Sequence, residues 1–365
     1  AVAMARHAPD DPFAGLADPS QLAQDRDVAK LELHDPAPEP DVAVLQEDAR
    51  RAEAAAMAQT GISAVQSASA GYALRRIHLA ASNGFDGGYT RSERGMSCVA
   101  ITGTGTGMER DHYGESRTFQ SDLPTPEFVG TTAAQRTLAR SGARQPPTGT
   151  YPVLFDERIS SSLIDHLLQA INGTKIVRGT SWLRGAVGEV VLPPALSLTE
   201  DPFRPRIASS RLFDAEGLPK RKRAIVQDGV LQGYTLDLAT ARKLGMDSTA
   251  NAVRGPGAPP SPAAGNVALT QGDVTKDALI AQMGTGLVVT SLIGSTINDN
   301  TGDYSRGAIG YWVENGEIQY AVNECTIAGN LRDMLGSIVA ANDARTHLSR
   351  VVPSLLVERM TLAGA

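Results

Sequence analysis

The distribution of apolar residues predicts three main helices. In ISSSLIDHLLQAING (residues 159–173), Leu163, Leu167, Ala170 and Ile171 recur at helical spacing, which predicts a helix with one buried face. Asp41 can cap a second helix, whose Ala-rich body ends at Gly61, and a third is expected over residues 127–141. Two shorter helices, ATARKLG and TKDALIAQMG, are expected farther along the chain.

Strand-like runs and hairpin turns occupy much of the remaining chain. Residues 309–322 place Asn-Gly between IGYWVE and EIQYAV, and RAIVQDGVLQGYTL places Asp-Gly between two apolar runs. Both dipeptides tolerate the positive φ angles of a two-residue turn, so two hairpins are predicted. Further strands are expected at residues 62–80 and 96–102, and at PVLFD and GLVVTSLIG, with NGFDGGYT as a Gly-rich turn.

The order of these elements favours an α+β fold with antiparallel sheets, hairpins and packed helices. The stretch QPPTGTYP marks a boundary between an N-terminal α+β domain (1–145) and a mainly antiparallel β domain with short helices (146–365). Residues 1–40 are expected to form a short helix followed by loops, and residues 251–266 a mobile loop that packs no core.

Charge and composition argue against nucleic-acid and membrane partners. The net charge of −6 argues against a nucleic-acid partner, since such proteins normally have a basic balance. The basic run at 220–223 is interpreted as a solvated strand edge in preference to a phosphate patch. No apolar run approaches the roughly 18 residues that cross a bilayer, so no membrane partner is expected. Cys98 and Cys325 are far apart, which favours the reducing cytoplasm.

No catalytic set is visible from the residues alone. GTGTGM (103–108) lacks the Lys-Ser/Thr of a phosphate loop and is interpreted as a strand connection, and MERDHYGE (108–115) as a polar sheet face. No two histidines have the spacing of a helical zinc site, and the neighbours Asp165 and His166 are interpreted as incidental. Cys325 is expected to be a small buried side chain.

Several stretches together closely resemble the TldE (PmbA) branch of the TldD/PmbA family, whose members were once described as modulators of DNA gyrase. They are MGTGLVVTSLIG, TGDYSRGAIGYWVENGEIQY, CTIAGNLRDML, RTLARSG, LFDAEGLPKRKRAIVQDGVL and ARKLGMDST. The resemblance runs over nearly the whole chain. Family members are longer at the N-terminus, so an upstream segment is expected to precede Ala1.

The resemblance implies a subunit of a cytoplasmic, two-subunit zinc protease that cleaves small unfolded peptides, in the maturation of a peptide antibiotic and the degradation of an antitoxin. The zinc-bearing TldD-type partner carries HExxxH. Aligned with that helix, SLIDHLLQAING places Ile164 at the first His, Asp165 at the Glu and Gln169 at the second His. The expectation is therefore no catalytic residue and no metal or cofactor in this chain, with zinc in the partner.

The segment Asp303, Tyr304, Ser305 and Arg306 is the candidate site. We expect a polar turn that lines the peptide channel or the subunit contact, with Arg306 holding a carboxylate; the alternative is that Asp303 and Arg306 pair across their own turn. A second function also stays open, a stand-alone binding or regulatory protein that forms a homodimer and has no protease activity.

Overall fold

A computed structural model describes residues 11–365. Residues 1–10, which hold the start of the expected short helix, lie outside the described part of the chain. Within residues 11–40 the structure has two single-turn 3-10 helices, Pro19–Gln21 and Ala29–Leu31. No helix in residues 11–365 has both the length and the apolar character needed to cross a bilayer.

The α-helices are mostly shorter than the sequence predicts. They are α1 (Val42–Met57), α2 (Pro126–Leu138), α3 (Ser161–Ala170), α4 (Gly173–Arg178), α5 (Leu238–Leu244), α6 (Lys276–Met283) and α7 (Leu331–Gly336), of which the sequence does not predict α4 and α7. Asp41 caps α1 as expected, by accepting a hydrogen bond from the Ala43 N–H. The predicted end of α1 at Gly61 is wrong, because the chain leaves the helix at Ala58 and Gly61 leads into a strand.

Strands make up three main sheets. They are β1 (Ile62–Ala80), β2 (Asp86–Thr102), β3 (Glu109–Arg117), β4 (Gly149–Phe155), β5 (Leu198–Glu200), β6 (Arg223–Gln227), β7 (Val230–Leu231), β8 (Ala252–Val253), β9 (Ser261–Pro262), β10 (Val267–Leu269), β11 (Gly286–Ile297), β12 (Asp303–Glu314), β13 (Glu317–Asn330), β14 (Val339–Ala340), β15 (Arg350–Val351) and β16 (Leu355–Ala363). The predicted α+β architecture is confirmed, and antiparallel pairing dominates; β4–β11 and β10–β15 are parallel.

The N-terminal sheet has the order β1-β2-β3 and carries α1 and α2 on one face. The expected turn NGFDGGYT is largely strand, since β2 begins at Asp86 and pairs with β1 over its whole length. On the helix-covered face, Met96, Cys98 and Tyr113 pack against Val129 and Ala133 of α2. Alternate residues of the same strands therefore point to the opposite face.

The central sheet of the C-terminal half has the order β13-β12-β11-β4-β16-β14. Because β13 also pairs with β16, five of these strands form a closed ring of hydrogen-bonded neighbours. The predicted hairpin between β12 and β13 is confirmed: Asn315 and Gly316 both have positive φ, and a Cβ at Gly316 would lie 2.9 Å from the Ala281 Cα. Outside the ring, β15-β10-β5-β6-β7 form a further sheet.

Alternation along the ring strands places side chains in two cores. Val153 and Phe155 of β4 join the large core that contains α3, whereas Leu154 packs with α6 on the other side. Leu163, Leu167 and Ala170 of α3, and Ile171 directly after it, are 0–3% exposed, which confirms the predicted apolar face. Ile164 is also fully buried. The helix is therefore held by hydrocarbon contacts on most of its circumference.

The stretch 251–266 contributes more structure than the predicted loop. It contains the two-stranded pair β8–β9, and Ala252, Asn251 and Asn266 are almost completely buried. The amide group of Asn251 donates to a Glu200 oxygen at 2.8 Å. The Pro and Gly residues shape this part of the chain, but polar anchors hold it against the sheet.

The basic run at residues 220–223 is not a solvated strand edge throughout. Lys220 is 7% exposed, with its Nζ 3.3 Å from Glu200, and the Arg223 Nε lies 2.8 Å from the same carboxylate. Glu200 itself is fully buried in β5. Although burial disfavours its charged form, these two cations and the Gly265 N–H lower the pKa of Glu200 to about 2.

Replacing Glu200 by Gln is expected to lower the free energy of unfolding at pH 7 by about 3–5 kcal/mol, because it leaves Lys220 buried beside a neutral side chain. Urea denaturation of Glu200→Gln and wild type measures the difference. The exposed Glu189 supplies the control, and Glu189→Gln should stay within about 0.5 kcal/mol of wild type.

The same pair of proteins gives a pH test. The pKa of Glu200 is about 2 in the folded chain and ordinarily 4.5, so its stabilising contribution is complete above pH 4.5 and is lost as the pH falls toward 2. The gap between wild type and Glu200→Gln should therefore narrow over that interval. Equal stabilities at pH 7 would contradict the buried ion pair.

Candidate functional site

The candidate segment Asp303–Arg306 begins strand β12 and is not a turn. Tyr304 pairs with Ile297 of β11 on one side and with Gly329 of β13 on the other. The turn lies before it, where Asn298 accepts the Gly302 N–H through its carbonyl. The predicted polar turn is therefore wrong in its backbone, because the segment is an inner strand of the ring with neighbours on both edges.

Asp303 and Arg306 do not contact each other. The Asp303 carboxylate accepts hydrogen bonds from Thr301 Oγ1 at 2.6 Å and Asn330 Nδ2 at 3.1 Å, and the first of these is the main reason that its pKa is lowered. Arg306 Nε donates to the Gly294 carbonyl at 2.7 Å. Among residues 11–365 no carboxylate lies within 4.0 Å of the Arg306 nitrogens, so neither expected ion pair is formed within the described chain.

Tyr304 brings this strand to helix α3. Its side chain is 2% exposed, and its ring meets the His166 ring edge to face with the centroids 5.8 Å apart. Both Tyr304 Oη and His166 Nε2 are buried, and neither makes a hydrogen bond of good geometry with the described residues, although the Arg306 side chain lies beside the Tyr304 hydroxyl. Burial raises the pKa of Tyr304 to about 12 despite the nearby Arg306 cation, while burial and then Arg306 lower the pKa of His166.

The positions aligned with the zinc-binding helix do not fit a metal. Ile164 is a fully buried hydrocarbon in the large core, and Gln169 is exposed. The Asp165 carboxylate is bound by Arg350 Nε at 2.8 Å. Zinc needs imidazole, thiolate or carboxylate donors converging on one point, and the three aligned positions offer only a carboxylate that is already paired. Across residues 11–365, no three His, Cys, Asp or Glu side chains cluster as metal ligands would.

A second feature, which the sequence does not predict, is a groove of about 700 Å³ on the uncovered face of the N-terminal sheet. Its floor is made of small side chains from all three strands: Ser69, Ala73, Gly95, Ser97, Gly114 and Ser116. Register places them together, since Ser69 lies opposite Ser97 and Ser97 lies opposite Gly114. Such a face lets another polypeptide backbone approach closely.

The groove has charged walls. Arg75, Arg91, Arg117, Arg206, Arg345 and His347 line it, together with Glu93 and Glu115. Glu115 is buried and lies 3.6 Å from Arg345 and 3.3 Å from His347, so one wall belongs to the C-terminal half. Although burial opposes ionisation, the Arg117 guanidinium and the Tyr113 hydroxyl lower the pKa of Glu115.

The structure also places MERDHYGE and GTGTGM, two segments to which the sequence assigns no catalytic role. In MERDHYGE, Asp111 is buried and lies 2.9 Å from Arg140 and 3.4 Å from Arg158, so it joins the two halves of the chain and is not part of an open polar face. GTGTGM is the connection between β2 and β3, as expected.

Cys325 is buried in β13, and burial raises the pKa of its thiol to about 11, which agrees with a packing role.

The alternation of small and large side chains along β1 and β2 is the sequence signal that could have predicted the groove floor. Along β1, Gly71 and Ala73 alternate with the larger Tyr72 and Leu74, and along β2 Gly95 and Ser97 alternate with the larger Arg94, Met96 and Cys98. The pattern shows that one sheet face carries small residues. It does not show that this face stays uncovered, which depends on where α1 and α2 pack.

Taken together, the features define an α+β protein in which a groove on a sheet face accompanies a helix that lacks a converging set of zinc donors. Residues 35–141 match the PmbA/TldA metallopeptidase central domain, and residues 148–364 match the PmbA/TldA metallopeptidase C-terminal domain. The Metalloprotease PmbA of Escherichia coli O157:H7 is 38% identical over 367 residues, covering 100% of this chain and 79% of that protein. The chain belongs to the PmbA/TldD family, and the resemblance read from its motifs is confirmed.

Solved structures agree with this assignment. A candidate modulator of DNA gyrase from Bacteroides thetaiotaomicron superposes with a TM-score of 0.90 at 28% identity, covering 100% of this chain and 81% of that one. TldE from Thermococcus kodakarensis gives a TM-score of 0.83 at 21% identity, covering 99% and 82% respectively, and shows the shared fold.

The poorly paired hydroxyl of Tyr304 leads to a stability prediction. Tyr304→Phe removes a buried polar atom that makes no hydrogen bond of good geometry in the described chain, so the free energy of unfolding is expected to stay constant or to rise by about 1 kcal/mol. Tyr234 is the matched control: it is buried, accepts the Gly185 N–H at 2.8 Å and donates to the Leu183 carbonyl at 3.3 Å. Tyr234→Phe should cost about 1–2 kcal/mol. Chemical denaturation compares them, and equal losses would contradict the contrast.

Proposed function

We propose that this chain is the zinc-free, TldE-type subunit of a two-subunit metalloprotease that cleaves small unfolded peptides. The zinc is held by a homologous TldD-type subunit, and this chain forms part of the peptide channel. The observation that carries the proposal is the full burial of Ile164 on α3, at the position aligned with a zinc-binding His, in a chain that belongs to a metallopeptidase family.

The groove on the N-terminal sheet supports a role in holding peptide. A floor of Ser, Gly and Ala side chains presents little steric obstruction, so an extended chain of almost any sequence can lie across it. The arginines along its walls favour peptides that carry acidic residues. A subunit with such a groove and without zinc can position a substrate for a metal centre on its partner.

The substrates proposed for the pair are a peptide-antibiotic precursor and an antitoxin, both able to enter as extended chains. We place this activity in the cytoplasm. Cys98 and Cys325 are buried free thiols, in keeping with a reducing compartment.

Co-expression with a zinc-bearing homologue that contains HExxxH tests the assembly. The two chains are expected to co-purify as a stable mixed dimer, and an unstructured peptide should be cleaved by the pair and by neither chain alone. Size-exclusion chromatography with light scattering measures assembly, and mass spectrometry of the peptide measures cleavage.

Further outcomes distinguish the proposed subunit role from a stand-alone binding protein and from a chain that is itself a protease. Replacing the Glu of HExxxH in the partner should abolish cleavage and leave the dimer intact. A homodimer of this chain that ignores the partner would favour the stand-alone binding protein. Chelator-sensitive cleavage by this chain alone would overturn the proposal.

A substitution in the groove floor tests the path of the peptide. A Cβ at Gly95 would meet no atom closer than the Glu115 carbonyl at 3.4 Å, so Gly95→Val fits the strand and fills the groove. We expect kcat/KM of the reconstituted pair to fall about tenfold, equivalent to ~1.4 kcal/mol of lost transition-state binding.

The matched control for this variant is Ser67→Val. Ser67 is an exposed β1 residue that lies outside the groove, so its replacement should leave kcat/KM unchanged. Circular dichroism and the melting temperature check that both variants fold. Full activity of a folded Gly95→Val pair would remove the groove from the peptide path.

A further inference from the structure

Two arginines face each other at one end of the groove on the N-terminal sheet. Arg75 of β1 lies directly opposite Arg91 of β2, and both side chains line the groove. Like charges at directly opposed positions of an antiparallel pair destabilise it. A negative charge between the two side chains would remove that cost, so this arginine pair is the place in the groove where an anion gains most.

Neither member of the arginine pair has a carboxylate partner in the described chain. Among residues 11–365, no carboxylate oxygen lies within 4.0 Å of a nitrogen of Arg75 or Arg91. Arg75 is exposed. Arg91 is half-buried, donates to the Ser210 carbonyl and lies 4.8 Å from the centre of the Tyr89 ring. The contacts that hold Arg91 in place are therefore with neutral groups.

The other arginines that line the groove are already neutralised. Each has a carboxylate partner: Arg117 pairs with Glu115, Arg206 with Glu32 and Asp122, and Arg345 with Glu157. The unmatched positive charge is therefore confined to the end of the groove that holds the arginine pair.

The remaining charges near this end do not cancel the pair. Glu93 lies next to Arg91 on the same face of β2, but its carboxylate accepts a hydrogen bond from Ser116 Oγ at 2.8 Å and contacts neither arginine. Burial lowers the pKa of Arg91, and the positive charge of Arg211 lowers it further. A bound anion would counteract both effects, because an opposite charge favours the ionised guanidinium.

The arginine pair also marks one limit of the groove. Beyond Arg91 the same sheet face is covered, since Tyr89 packs against Phe213 with the ring centroids 5.9 Å apart. In the other direction the small-residue floor extends along β1 to Ser69, roughly 20 Å from Arg75 at the rise of a strand. An extended peptide of about six residues fits this length, with one end at the arginine pair.

We propose that Arg75 and Arg91 form a subsite for the carboxylate of an acidic side chain, an Asp or Glu near one end of the peptide that occupies the groove. Directly opposed residues have Cβ atoms only about 5 Å apart, so both guanidinium groups can donate to one carboxylate between them. The inference rests on the proposed function for the groove as the peptide path, and it adds which chemical group the groove selects. Binding at this subsite requires neither zinc nor the partner subunit.

The test uses this chain alone and two peptides with blocked ends that differ in one charge. Acetyl-Ala-Ser-Ala-Ser-Ala-Glu-amide should bind at least about tenfold more tightly than the same peptide with Gln in place of Glu, since charge-assisted hydrogen bonds are lost in the second. Isothermal titration calorimetry measures both affinities. Equal affinity for the Glu and Gln peptides would overturn the inference.

A third peptide distinguishes the source of the carboxylate. Acetyl-Ala-Ser-Ala-Ser-Ala-Gln as the free acid carries its only carboxylate at the C-terminus, and it should bind no more tightly than its amide. Affinity equal to that of the Glu peptide would overturn the assignment to an acidic side chain.

Variants connect the selectivity to the arginine pair. Arg75→Gln should reduce the preference for the Glu peptide from about tenfold to about threefold or less, without changing the affinity for the Gln peptide. Arg91→Lys, which keeps the charge beside Ser210 but not the fork of donors, should also reduce the preference. The melting temperature checks that both variants fold. An unchanged preference in folded Arg75→Gln would contradict the subsite.

Arg76→Gln is the matched control. Arg76 is exposed and neighbours Arg75 in β1, but alternation directs it to the other face of the strand and it does not line the groove. Its replacement removes the same charge and should leave the preference for the Glu peptide intact. An equal loss in Arg76→Gln and Arg75→Gln would show a general effect of net charge and would overturn the subsite.

The outcomes separate this inference from the proposed function. If the reconstituted pair cleaves peptide while this chain does not distinguish the Glu peptide from the Gln peptide, the subsite fails and the subunit role stands. If selective binding of the Glu peptide occurs while the pair is inactive, the subunit role fails and the subsite stands.

Discussion

The burial of helix α3 in the core of the C-terminal half is the constraint from which the other features follow. Leu163, Ile164 and Leu167 are fully buried there, and each such side chain contributes roughly 1.5–3 kcal/mol by leaving water. An imidazole at Ile164 would instead need a partner for every polar atom. The face of the helix that would hold zinc thus serves as hydrocarbon packing. For this reason the proposed function assigns the metal chemistry to a second subunit.

The same core separates two kinds of buried polar group. Glu200 and Tyr234 are surrounded by donors and acceptors, so they strengthen the fold where they lie. His166 lines a pocket beside α3, and Tyr304 packs against it in the large core; their buried polar atoms make no hydrogen bond of good geometry within the described chain. In the first case the polar group belongs to the architecture. In the second case the polar atoms are poorly paired, so they do not strengthen the fold in this way.

The two halves of the chain contribute different parts of the groove in which the peptide is proposed to bind. The N-terminal sheet packs helices on one face and leaves the other, with its small side chains, as the floor of a groove. The C-terminal half supplies one wall of that groove through Arg345 and His347, and buried contacts such as Asp111 with Arg140 and Arg158 hold the walls in position. A groove of this kind depends on the relative placement of both halves.

Local patterns in the sequence determined the helix capped by Asp41, the buried face of α3, the Asn315-Gly316 hairpin and the family, because each depends on residues that are neighbours along the chain. The same patterns gave no account of Lys220 and Arg223, which pair with a carboxylate some twenty residues away, or of the strand conformation of Asp303–Arg306. Those outcomes, like the meeting of Tyr304 with His166 and the uncovered sheet face, were decided only by tertiary structure. The physical reason is that the burial of a side chain, its hydrogen-bond and ion-pair partners and the balance of nearby charges depend on which distant segments pack together in the interior. The spacing of residues along the chain does not specify those segments.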